Sequence, residues 1–271
     1  MKKLGRRLKT ITLLIAALMI ISIVSIVIYV ESGSQNEESY MSSYNYDISI
    51  EANGPLDNVM LYVPLPTFEN KSIVGENMIS RDFYNKAPEW NFSIVETEHG
   101  NMLSITNDKI IPRYQSLPIA IEEDEDSENE VSVATESHEY SEETPVIWPV
   151  DFSIMTKVNQ SIDTKDPVDN ALVLLPKYKL SSSEPPYDIP TPDYIEPEYY
   201  EYESRIFAQY NSSNQTSVYI RVEVNGANEW WVGGWRSNSF QDRIIIRMNG
   251  PQDGWRTAEG SMVTGDGIYD D

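Results

Sequence analysis

Residues 217–224 read SVYIRVEV and show the clearest periodicity in the chain. Apolar side chains occupy every even position, and polar or amphipathic side chains occupy every odd one. Successive side chains of a strand point to opposite faces, so a period of two predicts a half-buried β-strand. The dipeptide Asn225-Gly226 that follows is typical of a tight turn. We therefore expect a strand over 218–224 that ends at this turn.

Shorter strand-like runs lie on both sides of this stretch. They cover residues 44–50, 59–63, 91–97, 102–106, 150–158, 170–175 and 244–248. Glycine, proline and asparagine separate them, as in Asn53-Gly54-Pro55, and such clusters mark turns. No segment after residue 30 shows a helical period. The sequence therefore predicts an all-β region built as one or two β-sandwich-like domains.

Two segments of biased composition divide the strand-like part of the chain. Residues 122–147 are dominated by acidic side chains, which cannot bury enough apolar surface to offset the entropy of ordering, so they predict a disordered linker. Residues 177–203 are rich in Pro, Tyr and Glu, and this proline density favours an extended insertion over a central strand. The expected organisation is a β-domain over 44–121, the linker, and a β-domain over 148–271 that contains the insertion.

A short pattern occurs twice in the chain. Proline, any residue, Asp-Asn, an apolar run and a second proline stand at 55–64 and again at 167–176. Duplication of a β-domain explains the pattern, and so does chance, because a proline-bounded strand after an Asp-Asn turn is a simple motif. The choice between one and two domains stays open at this point.

The first thirty residues have the composition of a membrane anchor. Residues 11–30, ITLLIAALMIISIVSIVIYV, contain no charged side chain. About 20 apolar residues in a helix cross the ~30 Å hydrocarbon core of a bilayer. Residues 1–10 hold five basic and no acidic side chains, and positive flanks stay in the cytoplasm. We predict a basic cytoplasmic tail over 1–10, a single transmembrane helix over 11–30, and a polar spacer over 31–43.

This topology places the chain in the plasma membrane with its C-terminal region outside the cell. A cleaved signal peptide is the alternative, with cleavage near residues 32–34, although its apolar core is shorter as a rule. Five glycosylation sequons, at Asn70, Asn91, Asn159, Asn211 and Asn214, fit an external domain.

The charge balance limits the partners of the external region. The chain has 43 acidic and 20 basic residues, and subtracting the five tail cations leaves 15 basic residues after residue 30. Such a negative surface disfavours nucleic acid and anionic lipid. It is typical of a well-solvated surface, and weak binding of divalent cations is the alternative hypothesis.

The residues needed for catalysis are missing from recognisable motifs. The sequence has no cysteine, and its two histidines, His99 and His138, stand outside any metal-binding motif. A lone histidine at a turn, such as His99, is most often solvated. Carboxylate pairs of the glycosidase type stay open, because any acidic chain offers many of them. We predict no catalytic, cofactor-binding or metal-binding residue, and a protein that is not an enzyme.

The strongest candidate for ligand binding is a group of tryptophans near the C-terminus. Four of the six tryptophans lie in NEWWVGGW at 228–235 and GPQDGW at 250–255. Exposed indoles would form a platform that stacks on sugar rings, with Asn228, Arg236 and Asp242 as hydrogen-bonding groups. Buried indoles would instead fill a core. The candidate ligand-binding residues are Trp230, Trp231, Trp235, Trp255 and Asn228.

Adjacent residues of a strand face opposite sides, so at most one of Trp230 and Trp231 is buried in the same core.

Three functional hypotheses follow from these observations. The first is a non-enzymatic surface protein that supports or binds envelope components. The second is a carbohydrate-binding module or glycan-active enzyme that uses the tryptophans of 230–255, and the third is a cation-responsive surface sensor.

Three motifs carry a resemblance to known sequences: VMLYVPLP at 59–66, NEWWVGGW at 228–235 and GPQDGW at 250–255. In this combination the chain resembles a group of uncharacterised, N-terminally anchored archaeal proteins, chiefly of methanogens, with an extracytoplasmic domain. The resemblance covers most of residues 40–270. It implies an anchored protein and carries no activity, catalytic residue or ligand with it.

Overall fold

The fold is an all-β structure with one short helix, which confirms the predicted fold class at that level. The computed structural model describes residues 39–80, 89–115, 146–184 and 197–269, together with 19, 21–23 and 25. The strands are β1 Met41–Ala52, β2 Leu56–Thr67, β3 Asn91–Thr97, β4 Gly100–Ile110, β5 Arg113–Gln115, β6 Val146–Trp148, β7 Val150–Val158, β8 Val173–Leu175, β9 Tyr178–Ser183, β10 Glu198–Asn211, β11 Ser217–Trp231, β12 Trp235–Asn249 and β13 Gln252–Gly267. The helix α1 is Ile73–Ser80, between β2 and β3.

Eleven of these strands form one antiparallel sheet. Its order is β3-β4-β2-β10-β13-β12-β11-β1-β7, with β8 paired to the end of β2 and β9 paired to β10. The strands β5 and β6 pair separately. The strands predicted over 91–97 and 102–106 do pair with each other, as β3 and β4.

The sheet curls until its two edges meet. Phe152 on the edge strand β7 packs edge-to-face against Trp90 and against Phe92 of the other edge strand, with ring centroids 4.9 and 5.1 Å apart. Helix α1 contacts β2, β3 and β7, and Asn77 Nδ2 donates a 3.1 Å hydrogen bond to Thr156 Oγ1 on β7. The apolar faces of all long strands therefore line the same interior.

The two predicted β-segments contribute to that single interior. Strand β1, from the first segment, lies between β11 and β7 of the second, and β2 lies between β4 and β10. Buried residues from both segments form one continuous core. Of the two organisations that the sequence left open, the strand pairing fits one domain, because neither segment has a sheet of its own.

The turn at 53–55 joins two strands that do not pair with each other. Strand β1 pairs with β11 and β7, while β2 pairs with β4, β10 and β8. The turn is held by Asn53, whose backbone N–H donates to the Ser217 carbonyl and whose side-chain oxygen accepts from the Ser217 N–H. It carries the chain from one side of the curled sheet to the other.

Helix α1 is an element that the sequence analysis missed. Ser72 caps it, because its hydroxyl accepts a 2.9 Å hydrogen bond from the Gly75 N–H and its carbonyl accepts from the Glu76 N–H. Val74 and Met78 are one turn apart and buried. Eight residues give only two turns, too short for a helical period to stand out from the strand-like sequence around it.

Strands form inside the predicted spacer and inside the predicted insertion, where β9 covers Tyr178–Ser183. Strand β1 begins at Met41, inside the predicted spacer, because the buried Ser42 hydroxyl donates a 2.7 Å hydrogen bond to Asn228 Oδ1. Strand β10 includes residues 198–203, which the composition of 177–203 predicts to be part of an extended insertion. These residues follow the last proline of that segment. Tyr202 is buried, while its neighbours Glu201 and Glu203 face outward. The alternation of side chains that is typical of a strand was therefore already present in the sequence.

Several predicted features lie outside the described residues. These are the tail, most of the 11–30 segment, most of the spacer, nearly all of the acidic linker, and residues 185–196 of the insertion. Within the described part of the chain, no helix has the length and apolar composition needed to cross a membrane.

Candidate functional site

The hairpin between β11 and β12 carries four of the five predicted site residues, namely Asn228 and three of the tryptophans. Trp230 and Trp231 are consecutive and point to opposite sides of β11: Trp230 is 5% exposed and Trp231 is 38% exposed. Trp235, the first residue of β12, is 67% exposed. The indoles of Trp231 and Trp235 pair edge-to-face across the hairpin with centroids 5.7 Å apart. An exposed aromatic pair therefore stands at the end of this hairpin.

The position of this hairpin corrects the turn predicted at Asn225-Gly226. Strand β11 runs through both residues, and the chain turns at Val232-Gly233-Gly234, where the Val232 N–H donates to the Gly234 carbonyl. Gly226 is required inside the strand because a Cβ there would lie 2.3 Å from Cε1 of Phe240. A glycine that makes room for a ring has the same sequence signature as a turn glycine.

Trp255 lies away from the other three tryptophans. It is on β13, where its ring packs against His99 at 4.5 Å and against Phe207 at 5.5 Å, and Phe207 stacks on Tyr62 at 4.9 Å. His99 Nδ1 is 3.0 Å from the Tyr178 hydroxyl. His99 is thus packed in an outer aromatic cluster, contrary to the prediction that it is solvated.

Trp230 lines a cavity of about 430 Å³ close to the start of β1. Its ring stacks on Tyr40 with centroids 6.1 Å apart and planes at 24°. On another wall, the Lys165 ammonium lies 4.3 Å from the centroid of the Tyr269 ring. Burial raises the pKa of Tyr269, so its hydroxyl is neutral at physiological pH. The cavity combines aromatic walls with one cation, Lys165, and one acidic side chain, Asp163.

Asn228 lies beside this cavity, but its amide is fully used within the fold. Its Oδ1 accepts hydrogen bonds from the Ser42 hydroxyl at 2.7 Å and from the Ile162 N–H at 2.9 Å. Its Nδ2 donates to the Ile162 carbonyl and to Asn238 Oδ1, both at 2.8 Å. An amide side chain can accept two hydrogen bonds through its oxygen and donate two through its nitrogen, so these four bonds use its full capacity. Asn228 therefore fixes the loop that contains Ile162 and has no bond left for a ligand.

Asp242 also serves the fold, inside the core. Its carboxylate accepts hydrogen bonds from Lys177 Nζ at 2.6 Å, from the Leu174 N–H at 2.8 Å and from the Tyr202 hydroxyl. The side chains of Lys177 and Asp242 are 5% and 0% exposed. The ammonium also lies 3.7 Å from the Tyr202 ring centroid. These contacts attach the chain around β8 and β9 to the interior of the sheet.

The titration of this buried cluster follows from its environment. Burial lowers the pKa of Lys177, and the adjacent Asp242 carboxylate opposes that effect. Burial, followed by the charge and hydrogen bond of Asp242, raises the pKa of Tyr202 well above its ordinary value. Tyr202 therefore keeps its proton throughout the physiological range and donates a hydrogen bond to the carboxylate.

The four tryptophans thus occupy three separate places and do not form one platform. Tyr40, Lys165 and Tyr269, which line the cavity with Trp230, were not identified from the sequence, since they are far apart along the chain and belong to no motif. Within the described ranges, no group of three or more His, Cys, Asp or Glu side chains is arranged to hold a metal ion. The acidic residues of 122–147, on which the hypothesis of a cation-responsive sensor rests, lie outside those ranges.

Comparison of the chain with family models, with curated proteins and with solved structures finds no match in any of the three. The site is therefore interpreted from its own geometry and chemistry.

Proposed function

We propose that this chain is a single-pass plasma-membrane protein with a cytoplasmic N-terminus and a non-catalytic β-domain outside the cell that supports or binds envelope components. The observation that carries the proposal is the uncharged apolar segment 11–30 behind a basic tail. Only eight residues, 31–38, separate this segment from Ser39, which is already hydrogen-bonded to the folded domain.

Two further observations support this topology. The described positions inside the segment are helical, and Met19, Ile21 and Ile23 are each 61% exposed, which leaves apolar side chains for lipid to cover. All five sequon asparagines are exposed, so each is accessible to a glycosyltransferase outside the cytoplasm. The negative charge of the external part disfavours nucleic acid as a partner.

Membrane extraction and protease accessibility test the proposal. The full chain should stay with membranes washed in alkaline carbonate, and protease added to intact cells should digest the β-domain. Replacing the five basic residues of 1–10 by glutamine should reduce the fraction of chains with this orientation, whereas exchanging each Lys for Arg, and each Arg for Lys, should not. Release by carbonate, or a mature N-terminus near residues 32–34, would show that the chain has no anchor.

A second candidate function is carbohydrate binding, and the cavity beside Trp230 favours it. Stacked Tyr40 and Trp230 rings and the Lys165 ammonium are suited to a sugar ring with polar substituents. Glycan-array binding that is lost in Trp230→Leu and Lys165→Met, but retained in Trp255→Leu, would support this function. Equal binding by all three variants would exclude the cavity as the site.

A further inference from the structure

The exposed end of the β11–β12 hairpin lies beside the point where the chain enters the fold. The Trp231 N–H donates a 2.9 Å hydrogen bond to the Ser39 hydroxyl, and Met41 of β1 pairs with Glu229 of β11. Because β1 and β11 are antiparallel, residues 230–235 extend past the start of β1, toward the residues that precede it. We call residues 231–235 the hairpin tip.

The length of the connecting chain limits how far the hairpin tip can lie from the apolar segment. Residues 31–38 span at most about 29 Å when fully extended, at about 3.6 Å per residue. If 11–30 crosses the bilayer, the tip is held within roughly this distance of the lipid surface, and a less extended chain brings it closer. The tip projects from the end of the domain at which the chain arrives, so it belongs to the part of the domain that the connection ties to the anchor.

The chemistry of the hairpin tip fits the headgroup region of a bilayer. Its sequence, Trp-Val-Gly-Gly-Trp, has no charge, and its two indoles are exposed to solvent. Tryptophan concentrates at membrane interfaces, where its ring is partly desolvated and its N–H still finds a polar partner. Gly233 adopts a φ of 63°, and among the described residues nothing lies within 4 Å of a Cβ at Gly233 or Gly234, so the described part of the fold does not cover this turn.

We propose that Trp231 and Trp235 insert into the headgroup region of the same bilayer that holds residues 11–30. The inference rests on the proposed anchor and adds a second point of attachment. Because the anchor already confines the domain near the surface, even weak partitioning of two indoles populates the inserted state. The domain then stands on its β11–β12 end, and the turn at 53–55 faces away from the membrane.

Fluorescence quenching by brominated lipid tests the proposal directly. The full chain is reconstituted into phosphatidylcholine vesicles with bromine on the acyl chains, and its tryptophan emission is compared with that in unbrominated vesicles. Residues 11–30 contain no tryptophan, so the anchor contributes no signal. Quenching is expected in the wild type and should be lost in the double variant Trp231→Phe/Trp235→Phe, which keeps aromatic rings and thus the fold.

Trp148→Phe is the matched control. Trp148 is also exposed, but it precedes Val150, which pairs with Ile50, nine residues of strand away from Met41. That separation is about 30 Å at about 3.3 Å per residue, so removing Trp148 should leave the quenching unchanged. Quenching that persists in the double variant, or that disappears in Trp148→Phe, would overturn the proposal.

Carbonate extraction of the same vesicles separates the two proposals. A chain that resists extraction but shows no quenching is anchored, and its hairpin tip does not touch the bilayer. In that case the inference fails and the proposed function stands. A chain that carbonate releases has no anchor, and both proposals then fail together.

Discussion

The hydroxyl of Tyr46 on β1 donates a 2.7 Å hydrogen bond to the carbonyl oxygen of Pro64 on β2. Four strands, β10, β13, β12 and β11, separate β2 from β1 in the sheet order, so this bond crosses the interior of the curl. Pro64 lies where β2 leaves β10 and takes β8 as its partner, since Tyr62 pairs with Phe207 and Leu65 pairs with Leu175. Tyr46 is fully buried and joins the two sides of the sheet at this point.

Tyr46→Phe should lower the free energy of unfolding by about 0.5–1.5 kcal/mol, because it removes a buried hydrogen bond to the Pro64 carbonyl. Tyr210→Phe is the matched control. The Tyr210 hydroxyl is buried and has no hydrogen-bond partner among the described residues, so its removal should be neutral or stabilising. Urea unfolding monitored by circular dichroism measures both, and equal effects would contradict the role of the Tyr46–Pro64 bond.

Lys177→Met should destabilise the fold by about 3–5 kcal/mol, because it leaves the Asp242 carboxylate buried without a counterion. Adding Asp242→Asn should recover part of the loss, since the amide removes the charge and its oxygen still accepts from the Leu174 N–H. Lys179→Met, which breaks the exposed pair with Glu203, should change stability little. A Lys177→Met protein as stable as Lys179→Met would show that the buried pair does not support the fold.

Gly226→Ala should cost about 1–3 kcal/mol of stability, since the added methyl group overlaps the Phe240 ring in the core. Gly234→Ala is the control, because no atom of the described part of the chain lies within 4 Å of a Cβ at that position. Its effect should be no more than a few tenths of a kcal/mol in either direction. Thermal or urea unfolding compares the two variants, and an unaffected Gly226→Ala protein would mean that Phe240 moves without cost.

Stability should fall steeply in alkaline solution. Burial raises the pKa of Tyr46 and Tyr202 well above 10, and that of Tyr210 to about 12. The unfolded chain therefore loses these phenolic protons first, so their contribution is full below pH 10 and declines as the pH rises above it. Each such tyrosine lowers the unfolding free energy by about 1.4 kcal/mol per pH unit between its unfolded and folded pKa.

Lys177 has the opposite effect on stability below pH 10.5, its ordinary pKa. There the unfolded chain binds the Lys177 proton more tightly than the folded chain does, so this residue makes stability rise with pH. Measurements between pH 10.5 and 12 therefore isolate the tyrosines. In that window the stability of Tyr210→Phe should fall less steeply with pH than that of the wild type, by up to about 1.4 kcal/mol per pH unit. An unchanged slope would mean that Tyr210 ionises equally in the folded and unfolded chain.

The residues of the candidate site show where sequence reasoning succeeded and where it stopped. The opposite orientation of Trp230 and Trp231 follows from the alternation of side chains along a strand, which depends on adjacent residues alone. Tyr40, Trp230, Lys165 and Tyr269 meet at one cavity only because the sheet curls and a loop folds back over its end. No local pattern specifies such a meeting.

Asn228 and Asp242 illustrate a second limit of the sequence. Each belongs to a residue type that binds ligands through hydrogen bonds, and the sequence suggested that use. In the folded chain both are buried, and their partners come from Ser42, Ile162, Leu174 and Lys177. Whether a polar side chain faces a ligand or the protein is decided by what packs against it.

The sequence by itself determined the β class, most strand positions, and the uncharged apolar segment that predicts an anchor, because these depend on local periodicity and composition. The tertiary structure decided which strands pair, that residues on both sides of the acidic tract share one core, and that four tryptophans lie in three places. Pairing between strands distant in sequence is selected by the burial of their common apolar face. That burial exists only when the whole sheet has closed on itself, so no single segment of the sequence encodes it.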